Sequence, residues 1–393
     1  MPIHKNRIVL FCLVTGLFWF SLYTYVPFLT VHAQTMGASY SMLGLIAGSY
    51  GFVQMLLRIP LGIQSDLLNR RKPFMLAGIV ISILCALGMW WFETPVGLLV
   101  FRASTGAAAA TWVVFTVVFS SYFKPDDAPK AMGILNASLN IGQMAAMFLS
   151  GLIAQQAGIR PVFLLGTAGG LVALALGFFL TENKEFHKEP LNLKELFLVA
   201  GEPNLMLVCI LGAFSQLITF ATAFSFIPIL AKQLGANSFD LGLLTTMYSL
   251  PAVFGSLMVG PVFVKRFGER LTLMVGFLLA AGVCGFTPFI RTMPVLFGVQ
   301  IMGGFCSGVL FTLLMGLCIR NVENRKRATA MGFFQAIYGI GMFAGPSLVG
   351  ALGDSVGVSW GYALVGLFGL AAAVLSGFYR SKNARIAENK TGL

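Results

Sequence analysis

Two arginines stand inside long apolar runs of this chain: Arg58, in Arg58-Ile-Pro60, and Arg102, in Leu98-Leu-Val-Phe-Arg102-Ala-Ser-Thr105-Gly106. An arginine at the centre of a lipid-spanning helix costs roughly 2.5–3.5 kcal/mol on insertion scales, so it normally faces a cavity or a partner. Arg58 lies nearer a helix end, where its long stem could snorkel to the interface. Arg102 is the stronger candidate for a substrate or coupling role. Three amides, Asn136, Asn140 and Gln143, recur at i, i+4 and i+7 and therefore share one helix face. Gln335 and Tyr338 form a comparable pair later in the chain. Amides on one stripe avoid acyl chains; they line a polar path or they hold helices together. Trp19 and Tyr23 stand at i, i+4, Trp112 precedes Thr116, and Gln216 precedes Phe220 and Phe224. Aromatics with a few amides suit an amphipathic organic ligand, and two arginines without buried acids favour an anionic or zwitterionic one. Packing is the competing use, since the chain has 36 phenylalanines. Reaction chemistry lacks its groups. There is no HExxH and no pair of mid-run aspartates, and His4, His32 and His187 fall at or beyond the ends of apolar runs. The six cysteines all lie within apolar runs without a CxxC, as packing residues do. No enzyme activity, metal or cofactor is expected.

The elements that position these groups follow from composition. The 393 residues are 57% hydrophobic and 10% charged, against about 25% charged in a soluble domain, and mean hydropathy is +0.85. The solvent for most of this surface is lipid. The apolar runs are continuous rather than alternating, so the spanning elements are helices and not barrel strands. Runs near 8–30, 41–63, 73–92, 96–121, 131–154 and 161–180 precede a polar stretch, and runs near 204–231, 241–263, 271–290, 294–318, 329–352 and 358–379 follow it. An all-α membrane protein of twelve spans is expected. The first run is too long for a signal-peptide core and carries Trp19, Tyr23 and Tyr25, so it reads as a retained helix. The net charge of +12 sits in short loop tracts without stacking aromatics, which argues against nucleic acid. With both termini cytoplasmic, the inside segments collect 21 of the 26 lysines and arginines, the positive-inside pattern.

The chain also repeats itself. Residues 131–158 align without gaps on 330–357, an offset of 199 that pairs Ala137 with Ala336, Gly142 with Gly341 and Gly151 with Gly350. A second block, at an offset of 198, pairs Gly44 with Gly242, Tyr50 with Tyr248 and Gly62 with Gly260. Two blocks sharing nearly half the chain length as their offset point to duplicated bundles. The expected organisation is an N-terminal six-helix bundle at 1–180, a cytoplasmic linker at 181–203, and a C-terminal six-helix bundle with a short basic tail at 204–393. Parallel repeats of this kind place the binding site between the halves.

The loop after the second run reads Gly62-Ile-Gln-Ser-Asp66-Leu-Leu-Asn69-Arg70-Arg71-Lys72. It resembles the signature loop of the major facilitator superfamily, with Asn69 where a second glycine is usual, and Arg102 with Gly106 resembles that family's second motif. The resemblance implies secondary transport by alternating access, with spans 1, 4, 7 and 10 lining the cavity. It implies that Gly62, Asp66, Arg70 and Arg71, with Arg58, form a conformational gate at the cytoplasmic face. Asp66 would cap the start of span 11 near Ala328 and Thr329, with Arg325 and Arg327 as further ion-pair partners. The matching loop of the second half has Val264 and Lys265 where the acid would fall, so an asymmetric gate is expected. Bacterial drug and metabolite exporters are the members resembled, which implies the inner membrane, proton-coupled efflux and a monomer among lipids. Two features pull away from that implication. The proline of the exporters' helix 5 motif is missing at Gly142-Gln143-Met144, and Glu93, Asp240 and Asp354 lie at outer helix ends, with Asp126 and Asp127 inside. Export, uptake and lipid flipping on the same scaffold are left as alternatives, and the substrate is read no further than a small organic solute.

Overall fold

The structure, a computed structural model, describes residues 5–68, 70–123, 128–182, 202–320, 322 and 327–379, with backbone alone at 66, 128–130, 203 and 327–329. No strand occurs among them. The first half comprises α1 (Lys5–Tyr23), α2 (Leu29–Thr35), α3 (Tyr40–Leu67), α4 (Lys72–Trp91), α5 (Pro95–Ala110), α6 (Trp112–Ser120), α7 (Ala128–Ala157) and α8 (Arg160–Gly177). The second comprises α9 (Pro203–Ala221), α10 (Ile227–Gln233), α11 (Ser238–Met258), α12 (Lys265–Phe286), α13 (Met293–Arg320), α14 (Arg327–Ser355) and α15 (Val358–Ser376). Eleven stretches are long and apolar enough to cross a bilayer. One of them, Ser238–Phe289, holds two helices that part at Gly268, where φ is 75° and ψ 169°, so twelve spans result. A positive φ costs glycine nothing and other residues about 1–2 kcal/mol, which makes Gly268 the natural corner.

Four runs expected as single helices depart from α geometry; the eighth does so at its end, where Val259–Val264 widens into a π turn. The first stops at Tyr23 and restarts as α2, and the fourth breaks at Thr111. The seventh widens into a π turn over Thr222–Phe226 before α10. Prolines explain two of these. Pro27 and Pro228 lack an N–H and would strike the carbonyl four residues back, at Tyr23 and Phe224 respectively; a break or a π turn absorbs the misfit. The Ser225 carbonyl in the widened turn is taken up by the Thr30 hydroxyl of the first half, at 2.7 Å.

Neighbour relations repeat between the halves. In the first, α1 packs on α7, α3 on α5 and α4 on α8; in the second, α9 packs on α14, α11 on α13 and α12 on α15. Each pair is the counterpart of the other half's pair under the sequence repeat. Across the halves α3 lies on α14 and α7 on α11, again counterparts. The linker expected at 181–203 falls almost entirely outside the described residues. One end of the bundle carries Arg70, Arg71, Lys265, Arg266 and Arg320 and is called the basic end below; Glu93, Arg160, Lys232 and Asp354 mark the opposite end.

Candidate functional site

Arg102 sits two turns into α5, roughly 10 Å from the opposite end at 1.5 Å per residue. Its side chain is 2% exposed. The guanidinium carbon lies 4.4 Å from the centre of the Tyr50 ring and 6.0 Å from that of Tyr25. Gly106, one turn on, permits this placement by letting α5 touch the backbone of α3: a Cβ there would stand 2.4 Å from the Tyr50 carbonyl oxygen. Nothing among the described residues neutralises the charge, since both described ion pairs are elsewhere. Nε and Nη1 of Arg102, the Tyr25 hydroxyl and the Trp19 indole nitrogen are all buried without hydrogen-bond partners. The three nitrogens can only donate, and the Tyr25 hydroxyl can donate or accept. Cation–π contact returns about 2 kcal/mol at best, less than the several kcal/mol that desolvating a charge costs. The site therefore lacks an anionic partner for Arg102 among the described residues, and an anionic ligand fits it best.

Around Arg102 the aromatics expected from the sequence come together. Trp112 meets Trp19 at 5.4 Å between ring centres, and Trp19 meets Tyr23 at 5.7 Å. Tyr23 meets Phe224 of the second half at 6.2 Å, and Phe224 meets Tyr248 at 5.8 Å. Tyr50 stacks on Phe220 at 6.2 Å with an interplanar angle of 11°. Rings from both halves thus form one continuous layer beside the buried charge.

The amides stand apart from this layer. Asn136, Asn140 and Gln143 are half-buried on α7, on the face that continues to Met147, whose carbonyl meets Gly242 of α11. The stripe thus runs along the seam between the halves. Gln216 is half-buried one turn before Phe220. Half-buried Gln335 shares its face of α14 with Tyr338 and Met342, and that face looks onto α3. None of these five amides is held by a hydrogen bond among the described residues. Arg58 departs from expectation. It does not snorkel: it is 2% exposed and its Nη1 donates to the Tyr338 hydroxyl at 2.8 Å, joining α3 to α14 across the halves. A buried acceptor one helix away outcompetes an interface the side chain would have to stretch to reach.

At the basic end Gly62 and Arg71 are buried and Arg70 is exposed. The expected cap of span 11 by Asp66, with Arg325 and Arg327, concerns side chains outside the described residues. Val264 and Lys265 do occupy the aligned positions, but Glu269, a few residues on, is buried and forms an ion pair with Arg320 at the end of α13.

The opposite end is closed by glycine contacts and two caps. A Cβ at Gly44 would lie 2.3 Å from the Pro346 carbonyl oxygen, and one at Gly242 2.6 Å from the Met147 carbonyl oxygen, so α3 meets α14 and α7 meets α11 backbone to backbone. The Asp354 carboxylate, on α14, accepts from the Tyr40 and Ser41 N–H groups at 2.8 Å each, capping α3 from the other half. Gln155 Oε1, on α7, accepts from the Ser238 and Phe239 N–H groups at 3.2 and 3.4 Å, capping α11. Gln155 and Asp354 are 199 residues apart, the repeat offset. Sequence reasoning missed both, along with Tyr25 and Glu269; extending the repeat past its identities would have paired the two caps.

The sequence model of the Major Facilitator Superfamily matches residues 11–224 and, again, 208–393. The chain belongs to that superfamily. Among its relatives, an uncharacterized MFS-type transporter of Methanocaldococcus jannaschii, MJ1560, is 23% identical over 362 residues, covering 89% of this chain and 92% of the relative. The multidrug resistance protein MdtG of a Rahnella species is 26% identical over 372 residues, covering 90% and 87%. In structure, a bacterial homolog of the human lysosomal transporter Spinster, solved in an inward-facing and occupied conformation, superposes with a TM-score of 0.76 over 96% of each chain at 16% identity. This superfamily transporter is accordingly a multi-pass membrane protein and not an enzyme.

Proposed function

We propose that this transporter moves a small amphipathic organic anion by alternating access, the solute binding in the aromatic layer with its negative charge against Arg102. The buried guanidinium, unneutralised by any described carboxylate and with Nε and Nη1 unpartnered among the described residues, is the observation that carries this reading. Trp19, Tyr23, Trp112 and Phe220 supply the apolar contact, and the amides Asn136, Asn140, Gln143, Gln216 and Gln335, with the Tyr338 hydroxyl, line the route to the basic end. On the positive-inside pattern that end and both termini are cytoplasmic. The closed opposite end supports an inward-facing state of two bundles, read as 1–180 and 204–393 with a linker at 181–203. The gate of Gly62, Asp66, Arg70, Arg71 and Arg58 closes the cytoplasmic end in the other state. Relatives named for multidrug resistance support export across a bacterial inner membrane. Proton coupling, if export is driven that way, falls to Asp66, because the aromatic layer holds no carboxylate among the described residues. The protein acts as a monomer in lipid.

Counterflow in proteoliposomes against matched panels of organic anions and cations, with and without a pH gradient, tests the reading. Anions are expected to exchange, and Arg102→Ala is expected to abolish that exchange at normal expression. Exchange of cations alone, or unchanged anion exchange in the variant, defeats it.

A further inference from the structure

The second half contains a counterpart of the Arg102 site that no charge occupies. Moving by the repeat offset of 198 takes Tyr50 to Tyr248, Arg102 to Gln300 and Gly106 to Gly304. The backbone approach is conserved with them: a Cβ at Gly106 would lie 2.4 Å from the Tyr50 carbonyl oxygen, and one at Gly304 would lie 1.9 Å from that of Tyr248. Where the first half seats a guanidinium, the second leaves a cavity of about 20 Å³, bounded by Ser215, Thr219, Tyr248, Gln300 and Ser307 among others. That is room for a single oxygen-sized group. Gln300 is 2% exposed and its Nε2 has no hydrogen-bond partner. The hydroxyls beside it form a short chain, Tyr248 donating to Thr219 at 3.1 Å and Thr219 lying 3.1 Å from Ser307.

No charged residue lines this cavity. An ion buried there would be uncompensated, whereas a neutral group able to accept from an amide N–H and to donate to a neighbouring oxygen would satisfy it. The cavity is also tied to the solute layer. Tyr248 touches Phe224, which touches Tyr23, and Thr219 and Thr222 of the cavity wall flank Phe220 on the same span.

We propose that the Gln300 cavity is a second solute subsite, the pseudo-twofold mate of the Arg102 site, and that it takes a neutral hydroxyl at the uncharged end of the transported anion. The inference rests on the anion reading above and adds that the solute is bifunctional: a charge read by Arg102 in one half and a hydroxyl read by Gln300 in the other. An arginine in one repeat and a glutamine at the matching position of the other give the binding region a direction, because the two ends of a solute then cannot exchange places.

The test uses the purified full chain in detergent and a series of straight-chain alkanoates of graded length, each with and without a terminal hydroxyl, with affinity read by calorimetry. At the chain length that spans the two sites, the hydroxylated acid is expected to bind the wild type about three- to tenfold more tightly than its plain partner. Gln300→Leu and, separately, Ser307→Ala are expected to remove that advantage, while Arg102→Met weakens both acids and keeps the advantage. Two variants guard against a fold defect in either, and each is checked by its thermal midpoint. Equal affinity of the two acids at every length overturns the proposal and leaves the anion reading standing, the cavity then holding an ordered water only. Failure of every acid to bind, with cations binding instead, overturns both.

Discussion

The caps at the opposite end give the most direct handle on the conformational cycle. In the present state the two Asp354 carboxylate oxygens each take one N–H from the first turn of α3, both at 2.8 Å. These are among the four N–H groups that a helix start leaves unpaired, and the carboxylate also sits at the positive end of the α3 dipole. Replacing a capping side chain by alanine typically costs about 1 kcal/mol. Because the cap joins the two halves, that cost falls only on the state in which this end is closed. Asp354→Ala should therefore raise the ratio of open to closed opposite ends about fivefold. Gln155 offers one neutral oxygen to two N–H groups at 3.2 and 3.4 Å, so Gln155→Ala should shift the ratio by a smaller factor. The two caps share no partner, so the double variant should show the product of the single effects. Asp354→Asn keeps an acceptor, loses the charge and should fall between. Spin labels at exposed Phe92 and Thr292, one in each half, would report the distance distribution across this end by pulsed electron resonance. An unchanged distribution in Asp354→Ala, or one equal to that of Asp354→Asn and of Gln155→Ala, would refute the reasoning.

Gly242→Leu places a side chain where 2.6 Å separates a Cβ from the Met147 carbonyl oxygen; overpacking of about 1–3 kcal/mol should open the same label pair further than Asp354→Ala does. Arg102→Met removes a buried charge without an ion-pair partner among the described residues, so the thermal midpoint in detergent should rise while anion exchange is lost; a fall in both would make Arg102 structural. His32 sits at the opposite end with its Nε2 buried and unpartnered. Burial lowers its pKa below 6.5, partly opposed by Glu93. The neutral form is then favoured in the fold, so stability is full above that value and declines as pH falls below it towards the depressed pKa. Thermal midpoints measured from about pH 7 down to about pH 5 should drop in the wild type and drop less in His32→Phe.

Much of the architecture is legible in the residues because lipid leaves so few solutions. A chain with 10% charge and continuous apolar runs has to form spanning helices, and the clustering of lysine and arginine in alternate loops orders them. The spacing of Trp19 and Tyr23, and of Phe220 and Phe224, placed four of the layer's rings. What the runs did not reveal were the breaks at Tyr23 and Thr222. Hydropathy is blind to a helix that bends in place, and the misfit arises only because Pro27 and Pro228 meet particular carbonyls. Arg58 shows the opposite failure. Its position near a helix end argued for snorkelling, but its partner, Tyr338, is 280 residues away and no local pattern points to it.

The sequence by itself determined that this protein lives in a bilayer, that two of its segments recur at about half the chain length, that it resembles the superfamily to which it belongs, and that Arg102 is the residue to explain. Those properties follow from composition, periodicity and repeated spacing, which are local or statistical. Only the tertiary structure decided that Arg102 has π faces but no counter-charge among the described residues, that Asp354 and Gln155 cap helices of the opposite half, and that Gln300 borders a cavity where its counterpart is filled. Each of these depends on which surfaces of distant helices meet and at what distance. Close approach is set by glycines and carbonyls from both sides of a contact at once, and a linear pattern records only one side at a time.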